Sequence, residues 1–214
     1  MAQIKLVVFD MDGTIIEPRS SWAMIHEHFG TDNTEMLQLY IDHKISDKEF
    51  VKADIQLWNS KSDRPVDEKY INSILDKAKA RKGAEELITS LHENNIKTII
   101  LSGGIQYLAD KWAKKWNMNE ALANDLIDDE NGNLTAIINS SGHNKGPVME
   151  KMIEKYNCEK NEIAAVGDTI VDVPTFERAG LSIAVNTDDE RVISKANYHL
   201  KGDLTELKKL IINW

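Results

Sequence analysis

The sequence predicts an α/β protein, a doubly wound parallel sheet of Rossmann-like order with an inserted helical unit. Three observations lead there. Short β-branched apolar runs stop abruptly at Asp, Ser or Gly, the pattern of strands buried on both faces of a parallel sheet. Through most of the chain these runs alternate with helical patterns. Between the first and second runs that alternation fails, and residues 17–82 show helical patterns with no convincing strand.

The first strand is "IKLVVFD" (4–10), followed by the turn "MDGT". Four helical patterns come next: "SSWAMIHEHFG", "NTEMLQLYIDHK", "SDKEFVKADIQLW" and "PVDEKYINSILDKAKA", with Ser20 or Ser21, Asn33, Ser46 and Asp67 as their expected N-caps. A helix in "GAEELITSLHENN" leads to the second strand, "IKTIILSGG" (96–104), and "IQYLADKWAKKW" is the helix after it. Asn131-Gly132 in "LIDDENGNLTAII" signals a tight β-hairpin. The helix in "GPVMEKMIEKY", the strand "IAAVGD" (163–168), the helix in "VPTFERAG" and the strand "LSIAVN" (181–186) complete the alternation. The expected organisation is a core of residues 1–16 and 83–214 with a helical cap of residues 17–82 set into it.

Composition narrows the function classes. Among 214 residues, 42% are apolar and 29% charged, as in ordinary globular proteins. A formal charge of −9 argues against a nucleic-acid surface, which draws on clustered Lys and Arg. The amino-terminal apolar run is too short for a signal peptide, and no stretch suits a membrane helix, so the expectation is a cytoplasmic protein. The single cysteine, Cys158, has no partner for an internal disulfide and reads as a small apolar residue. Trp112 and Trp116, four apart in one helix, read as core.

Parallel α/β sheets bind ligands outside the carboxyl ends of their strands. Under that rule the first strand delivers Asp10 and Asp12, the second Ser102, Gly103 and Gly104, and the third Asp168, with Asp172 in the turn beyond it. A helix beginning near Lys145 can aim its amine at the same edge. Crowded carboxylates repel one another unless a proton or a cation neutralises them, and an oxygen-rich set suits Mg²⁺ better than zinc. An ammonium and a hydroxyl beside the metal would serve the oxygens of a phosphate group. Each group also has a plainer reading: Asp10 and Asp12 as a strand-end turn, Ser102 and Asp172 as helix caps, Lys145 as a solvated lysine, and His143 as a loop bystander.

Taken in order, "DMDGT", "LSGG", Lys145 and "GDTIVD" resemble the four motifs of the haloacid dehalogenase superfamily. The helical insert after the first motif is similar to the cap of its phosphoserine phosphatase branch. The resemblance implies that Asp10 attacks phosphorus to form an aspartyl-phosphate and that Asp12 serves as acid and base. It also implies that Asp10, the Asp12 backbone carbonyl and Asp168 hold Mg²⁺, with Asp172 as a further ligand or an acceptor behind it. Ser102, Gly103 and Lys145 would hold the phosphoryl group of a small phosphorylated metabolite, in a monomer or a homodimer.

Substrate selection departs from the branch. Phosphoserine phosphatases place a glutamate soon after the first motif and an arginine in a later cap helix. Here Arg19 and Asp54 fall near those positions, so the charges are swapped, with Glu17 as a substitute if the loop shifts. Val171 also stands where the branch usually has asparagine. Arg19 suits a second anionic group on the substrate, and Trp22 lies where a substrate would pass. The alternatives are a phosphatase for another small acidic metabolite, a phosphomutase and, among non-enzymes, a receiver-like phospho-acceptor domain. A dehalogenase would have no use for Asp12.

Overall fold

A computed structural model describes residues 3–140 and 144–214. Strands β1 (Leu6–Phe9), β2 (Lys97–Ile105), β3 (Glu120–Asp128), β4 (Leu134–Ile137), β5 (Ile163–Gly167), β6 (Leu181–Val185) and β7 (Tyr198–Leu200) form one sheet in the order β4-β3-β2-β1-β5-β6-β7. Every neighbouring pair is parallel except β3 and β4. β1 lies between β2 and β5, where the strand order changes direction, and a crevice opens at the carboxyl end of such a strand.

Strand β1 shows why its sequence is an unbroken apolar run. Val7 and Phe9 enter one core with Ile25, Trp58, Leu87 and Leu108, while Leu6 and Val8 enter the other with Met149, Met152 and Phe176. Both faces are covered, so alternation with polar residues has no place there.

Helices α1 (Ser21–Phe29), α2 (Thr34–Ile41), α3 (Asp47–Lys61) and α4 (Glu68–Leu75) lie between β1 and β2 in the chain. Ser20, Ser46 and Asp67 cap α1, α3 and α4 as expected, Ser46 through a reciprocal bond with Glu49. Asn33 occupies the cap position of α2 but does not cap it; its amide donates to Asp54, and the preceding Asp32 accepts from Thr34 N. The buried carboxylate of Asp54 competes successfully for Asn33. The outgoing and returning chains meet at an antiparallel bridge between Ile16 and Ala80, flanked by bonds from Glu17 N to Lys79 O and from Arg81 N to Ile15 O.

The remaining helices are α5 (Ala84–Glu93), α6 (Gln106–Lys115), α7 (Lys145–Tyr156), α8 (Val173–Phe176), α9 (Glu190–Ile193) and α10 (Leu207–Ile212). Two further features differ from the sequence reading. The hairpin signalled by Asn131-Gly132 exists, but residues 129–133 form a wider turn held by Asp129 Oδ1, which accepts from the backbone N–H of Asn131 and Asn133. Strand β7 escapes a pattern search because it is only three residues long and centres on a histidine.

Candidate active site

Strand β1 ends at Asp10, and the chain then makes a tight, irregular turn through Met11–Ile15. Gly13 makes that turn possible, with φ of +73° and Asp168 packed so close that a Cβ would lie 2.2 Å from its Oδ2. Arg81 holds the turn from outside. Its guanidinium donates to the carbonyls of Gly13 at 2.7 Å and Thr14 at 3.0 Å.

Three carboxylates converge at the sheet edge. Asp10, Asp168 and Asp172 are buried and place oxygens within 4.8 Å of one another. Lys145, the first residue of α7 and only 1% exposed, donates to Asp10 Oδ1 and to Asp172 Oδ1, each at 2.6 Å. Burial alone would lower the Lys145 pKa, but Asp10 and Asp172 raise it above its ordinary value, so the ammonium stays charged. Burial pushes Asp10 well above the usual carboxylate range, with Lys145 opposing and the neighbouring acids adding. Burial and then Asp172 push Asp168 up to about 7, against a hydrogen bond from Thr14 Oγ1 at 3.1 Å. Asp172 Oδ2 accepts from Asp168 N, Thr169 N and Thr169 Oγ1, so this residue both caps its turn and faces the lysine.

Such a set fits a hard divalent cation. Its atoms are all oxygens, burial disfavours charge on Asp10 and Asp168, and a cation would offset both that burial and the repulsion within the trio. Asp12 is not part of the trio. Its Oδ2 instead accepts from Ser21 N and Ser21 Oγ, both at 2.7 Å. Burial raises the Asp12 pKa, and the two Ser21 bonds oppose that rise.

Strand β2 supplies the other side of the site. Ser102 is buried and its Oγ accepts from Gly104 N at 3.1 Å. The Gly103 carbonyl accepts from Trp22 Nε1 at 3.0 Å and from Asn124 Nδ2 at 2.9 Å. Gly104 packs against Asp12, and a Cβ there would lie 2.7 Å from Asp12 Oδ2.

Two recesses border these groups. A cavity of about 140 Å³ beside Gly103 is lined by Trp22, Tyr40, Asp47, Phe50, Val51, Asn124 and Ile138. A larger crevice of about 430 Å³ runs from Asp168 and Thr169 past Arg19 to Asn186, Asp188 and Arg191. Trp22, expected where a substrate would pass, and Arg19, expected to meet a second anionic group, line different recesses. Glu17 and Arg19 are exposed. Asp54 lines neither recess; it is fully buried, accepts from Asn33 and lies 3.3 Å from His26 Nε2. His143 lies outside the described residues. Cys158 is half-buried and burial raises its thiol pKa, while Trp112 and Trp116 stack in the core with ring centroids 4.7 Å apart.

The comparison with known families decides what this arrangement belongs to. A family model described as haloacid dehalogenase-like hydrolase matches residues 4–180, from β1 through α8. The chain belongs to the haloacid dehalogenase-like hydrolases. The hydrolase is 30% identical to the phosphoserine phosphatase of Archaeoglobus fulgidus over 86% of this chain and 53% of that protein, so it spans about half the length of that relative. It is 27% identical to the phosphoserine phosphatase of Campylobacter jejuni over 97% of this chain and 98% of that protein. Its fold matches a solved phospho-aspartyl intermediate analogue of phosphoserine phosphatase with a TM-score of 0.79, at 24% identity, covering 98% of this chain and 100% of the other.

Three residues at the hydrolase's site went unnoticed in the sequence: Arg81, Asn124 and Ser21 as more than a helix cap. Each touches groups far away in the chain, and no local pattern marks such contacts. Asn124 is an example, since its amide donates to Gly103 while its Oδ1 accepts from Asn139 N and Ser140 N.

Proposed function

We propose that this hydrolase is a Mg²⁺-dependent phosphatase of phosphoserine phosphatase type, which cleaves a small phosphomonoester through an aspartyl-phosphate on Asp10. The observation that carries this reading is the buried Lys145 ammonium bonded to Asp10 within the carboxylate trio. A carboxylate attacks an anionic phosphorus only when its surroundings cancel the repulsion.

Asp10, Asp168 and Asp172 would hold the metal together with the Asp12 backbone carbonyl. Bound there, Mg²⁺ supplies positive charge that neutralises the carboxylates and the phosphate oxygens. Lys145 and Ser102 hold the phosphoryl oxygens while an Asp10 oxygen forms the new bond to phosphorus. Asp12 gives its proton to the departing alkoxide and then takes one from the water that hydrolyses the aspartyl-phosphate. Residues 17–82 act as a cap domain over the core, excluding bulk water and contacting the leaving group.

Both relatives above carry the name phosphoserine phosphatase, which makes O-phosphoserine the first substrate to test. Among the described residues the cavity beside Gly103 has no cation in its lining, whereas Arg19 offers one in the crevice next to Asp168. That arrangement favours a second reading, a small phosphorylated metabolite with another acidic group that reaches Arg19. A phosphomutase would share the residues and differ in its product.

Phosphate release from a panel of phosphorylated metabolites, with Mg²⁺ and beside an Asp10→Asn control, tests the proposal. Turnover of one panel member that needs Mg²⁺ and Asp10 is the expected result. Turnover surviving in Asp10→Asn overturns the nucleophile assignment, and transfer to a second sugar position without phosphate release selects the mutase.

A further inference from the structure

Ser21 occupies an unusual place for a residue at the start of a helix. It is fully buried, and it joins three segments that carry the chemistry. Its N–H and its Oγ both bond to Asp12 Oδ2 at 2.7 Å, and the N–H of Ile105, at the end of β2, bonds to Ser21 Oγ at 3.2 Å. The next residue, Trp22, bonds to the Gly103 carbonyl of the same strand end.

The directions of these bonds are fixed. A backbone N–H can only donate, so Ile105 N–H occupies an acceptor position on the Ser21 hydroxyl. The hydroxyl proton is then free to point at Asp12 Oδ2, which also receives the Ser21 N–H. An oxygen that accepts two donors is a poor seat for the acid's own proton. Asp12 Oδ1, by contrast, is buried with no hydrogen-bond partner among the described residues.

From this geometry we infer that Ser21 is the positioning residue of the acid and base, holding Asp12 Oδ2 as acceptor so that Oδ1 carries the transferable proton. The inference rests on the phosphatase reading above. In the first step the Asp10 oxygen–phosphorus bond forms, the phosphorus–oxygen bond to the leaving group breaks, and the proton on Asp12 Oδ1 passes to the departing oxygen. Asp12 becomes a carboxylate with the two Ser21 donors still on Oδ2. In the second step water attacks phosphorus, its proton returns to Asp12 Oδ1, and the Asp10–phosphate bond breaks to give phosphate. The role resembles that of any group that fixes which atom of a catalytic acid carries the proton. Because Ser21 begins α1, the orientation of Asp12 is tied to the seating of the helical segment on the end of β2.

The test uses kcat/KM, with Mg²⁺, for phenyl phosphate and for p-nitrophenyl phosphate in the wild type, Ser21→Ala, Asp12→Asn and the double variant. Phenolate has a conjugate-acid pKa of about 10, like Tyr, and needs a proton to leave, whereas nitrophenolate is far less basic. Ser21→Ala should lower kcat/KM for phenyl phosphate by about 10- to 100-fold, a fraction of what general acid catalysis contributes, and leave p-nitrophenyl phosphate within about threefold. In the Asp12→Asn background the same substitution should change neither value by more than about twofold. Equal losses on both substrates, or a loss that persists in the Asp12→Asn background, would show a packing role and overturn the inference. No loss on phenyl phosphate overturns it as well. A wild-type protein that hydrolyses neither ester with Mg²⁺ overturns the phosphatase reading itself, and this inference with it.

Discussion

The Lys145 ammonium lies 2.6 Å from Asp10 Oδ1, joining two residues 135 positions apart in the chain. Both are buried, so the pair is sensitive to loss of either member. Breaking a buried ion pair by removing one partner costs about 3–5 kcal/mol, because the other charge is left without compensation. Lys145→Met should therefore destabilise the metal-free protein by about 3 kcal/mol in urea unfolding at pH 8. The loss should shrink at pH 5, where Asp10 and Asp168, whose pKa values burial raises, take up protons. A pH-independent loss would contradict this account of the cluster.

Asp168 makes a prediction of opposite sign. Its pKa is pushed up to about 7 in the folded chain, while the unfolded value is about 3.9. A raised folded value means that its favourable contribution is full below about 3.9 and is lost as pH rises through about 7. Asp168→Asn, which does not titrate, should thus have a higher Tm than the wild type at pH 8 without metal and little advantage at pH 4. If Mg²⁺ binds at the trio as proposed, it should raise the Tm of the wild type, and Asp168→Asn should abolish that rise. A metal-free wild type that is the more stable of the two at pH 8 would count against the assignment.

Gly13 sets the distance between the first-strand turn and Asp168. In Gly13→Ala a Cβ would meet Asp168 Oδ2 at 2.2 Å from a backbone position with φ of +73°. The carboxylate must move, and disturbing the contacts that orient a metal ligand typically costs about 10- to 100-fold in metal affinity. Activity titrated with Mg²⁺ should show a half-saturating concentration raised at least about tenfold, and an unchanged value would remove Asp168 from the metal's ligands.

Arg81 gives a further test. It donates to the carbonyls of Gly13 and Thr14, which carry the turn between Asp10 and the helical segment. Arg81→Ala leaves those carbonyls without these donors and should cost about 1–3 kcal/mol in unfolding free energy. Arg81→Lys should recover only part, since an ammonium cannot reproduce the planar fork. Chemical denaturation of the three proteins measures the ranking, and equal stability of wild type and Arg81→Ala would contradict the role.

These residues also show what can be read from the sequence and what cannot. The sheet core was legible because Leu6–Phe9 and the later runs are apolar on both faces, a pattern local to each strand. The meeting of Asp10, Lys145 and Asp168 was legible because acids and amines at strand or helix ends share one edge of a parallel sheet. Arg81 was not, because its importance comes from carbonyls of residues 13 and 14, which lack any side-chain signature. Ser21 looked like a helix cap because Ser20 and Ser21 are both good candidates, and only the fold shows that Ser20 caps while Ser21 reaches Asp12. The parallel pairing of β3 with β2, from Ile99 opposite Glu120, was hidden because polar residues Glu120, Asn124 and Asp125 interrupt the apolar pattern of β3.

The two recesses can be told apart by substitution. Arg19→Ala should raise KM for a substrate with a second acidic group while leaving p-nitrophenyl phosphate turnover nearly unchanged, because Arg19 is exposed in the crevice beside Asp168. Trp22→Leu, which removes both a wall of the Gly103 cavity and the bond to the Gly103 carbonyl, should reduce kcat on both substrates. Steady-state kinetics on the pair separates these outcomes, and equal losses from Arg19→Ala on both substrates would remove it from substrate selection.

The assignment of Asp10 as nucleophile is tested most directly by acid-quenching the enzyme during turnover of p-nitrophenyl phosphate and locating the phosphoryl group by peptide mass spectrometry. The account predicts one added phosphoryl group on Asp10, more of it in Asp12→Asn, where hydrolysis of the intermediate lacks its base, and none in Asp10→Asn. A phosphoryl group on any other residue, or continued turnover by Asp10→Asn, would contradict it.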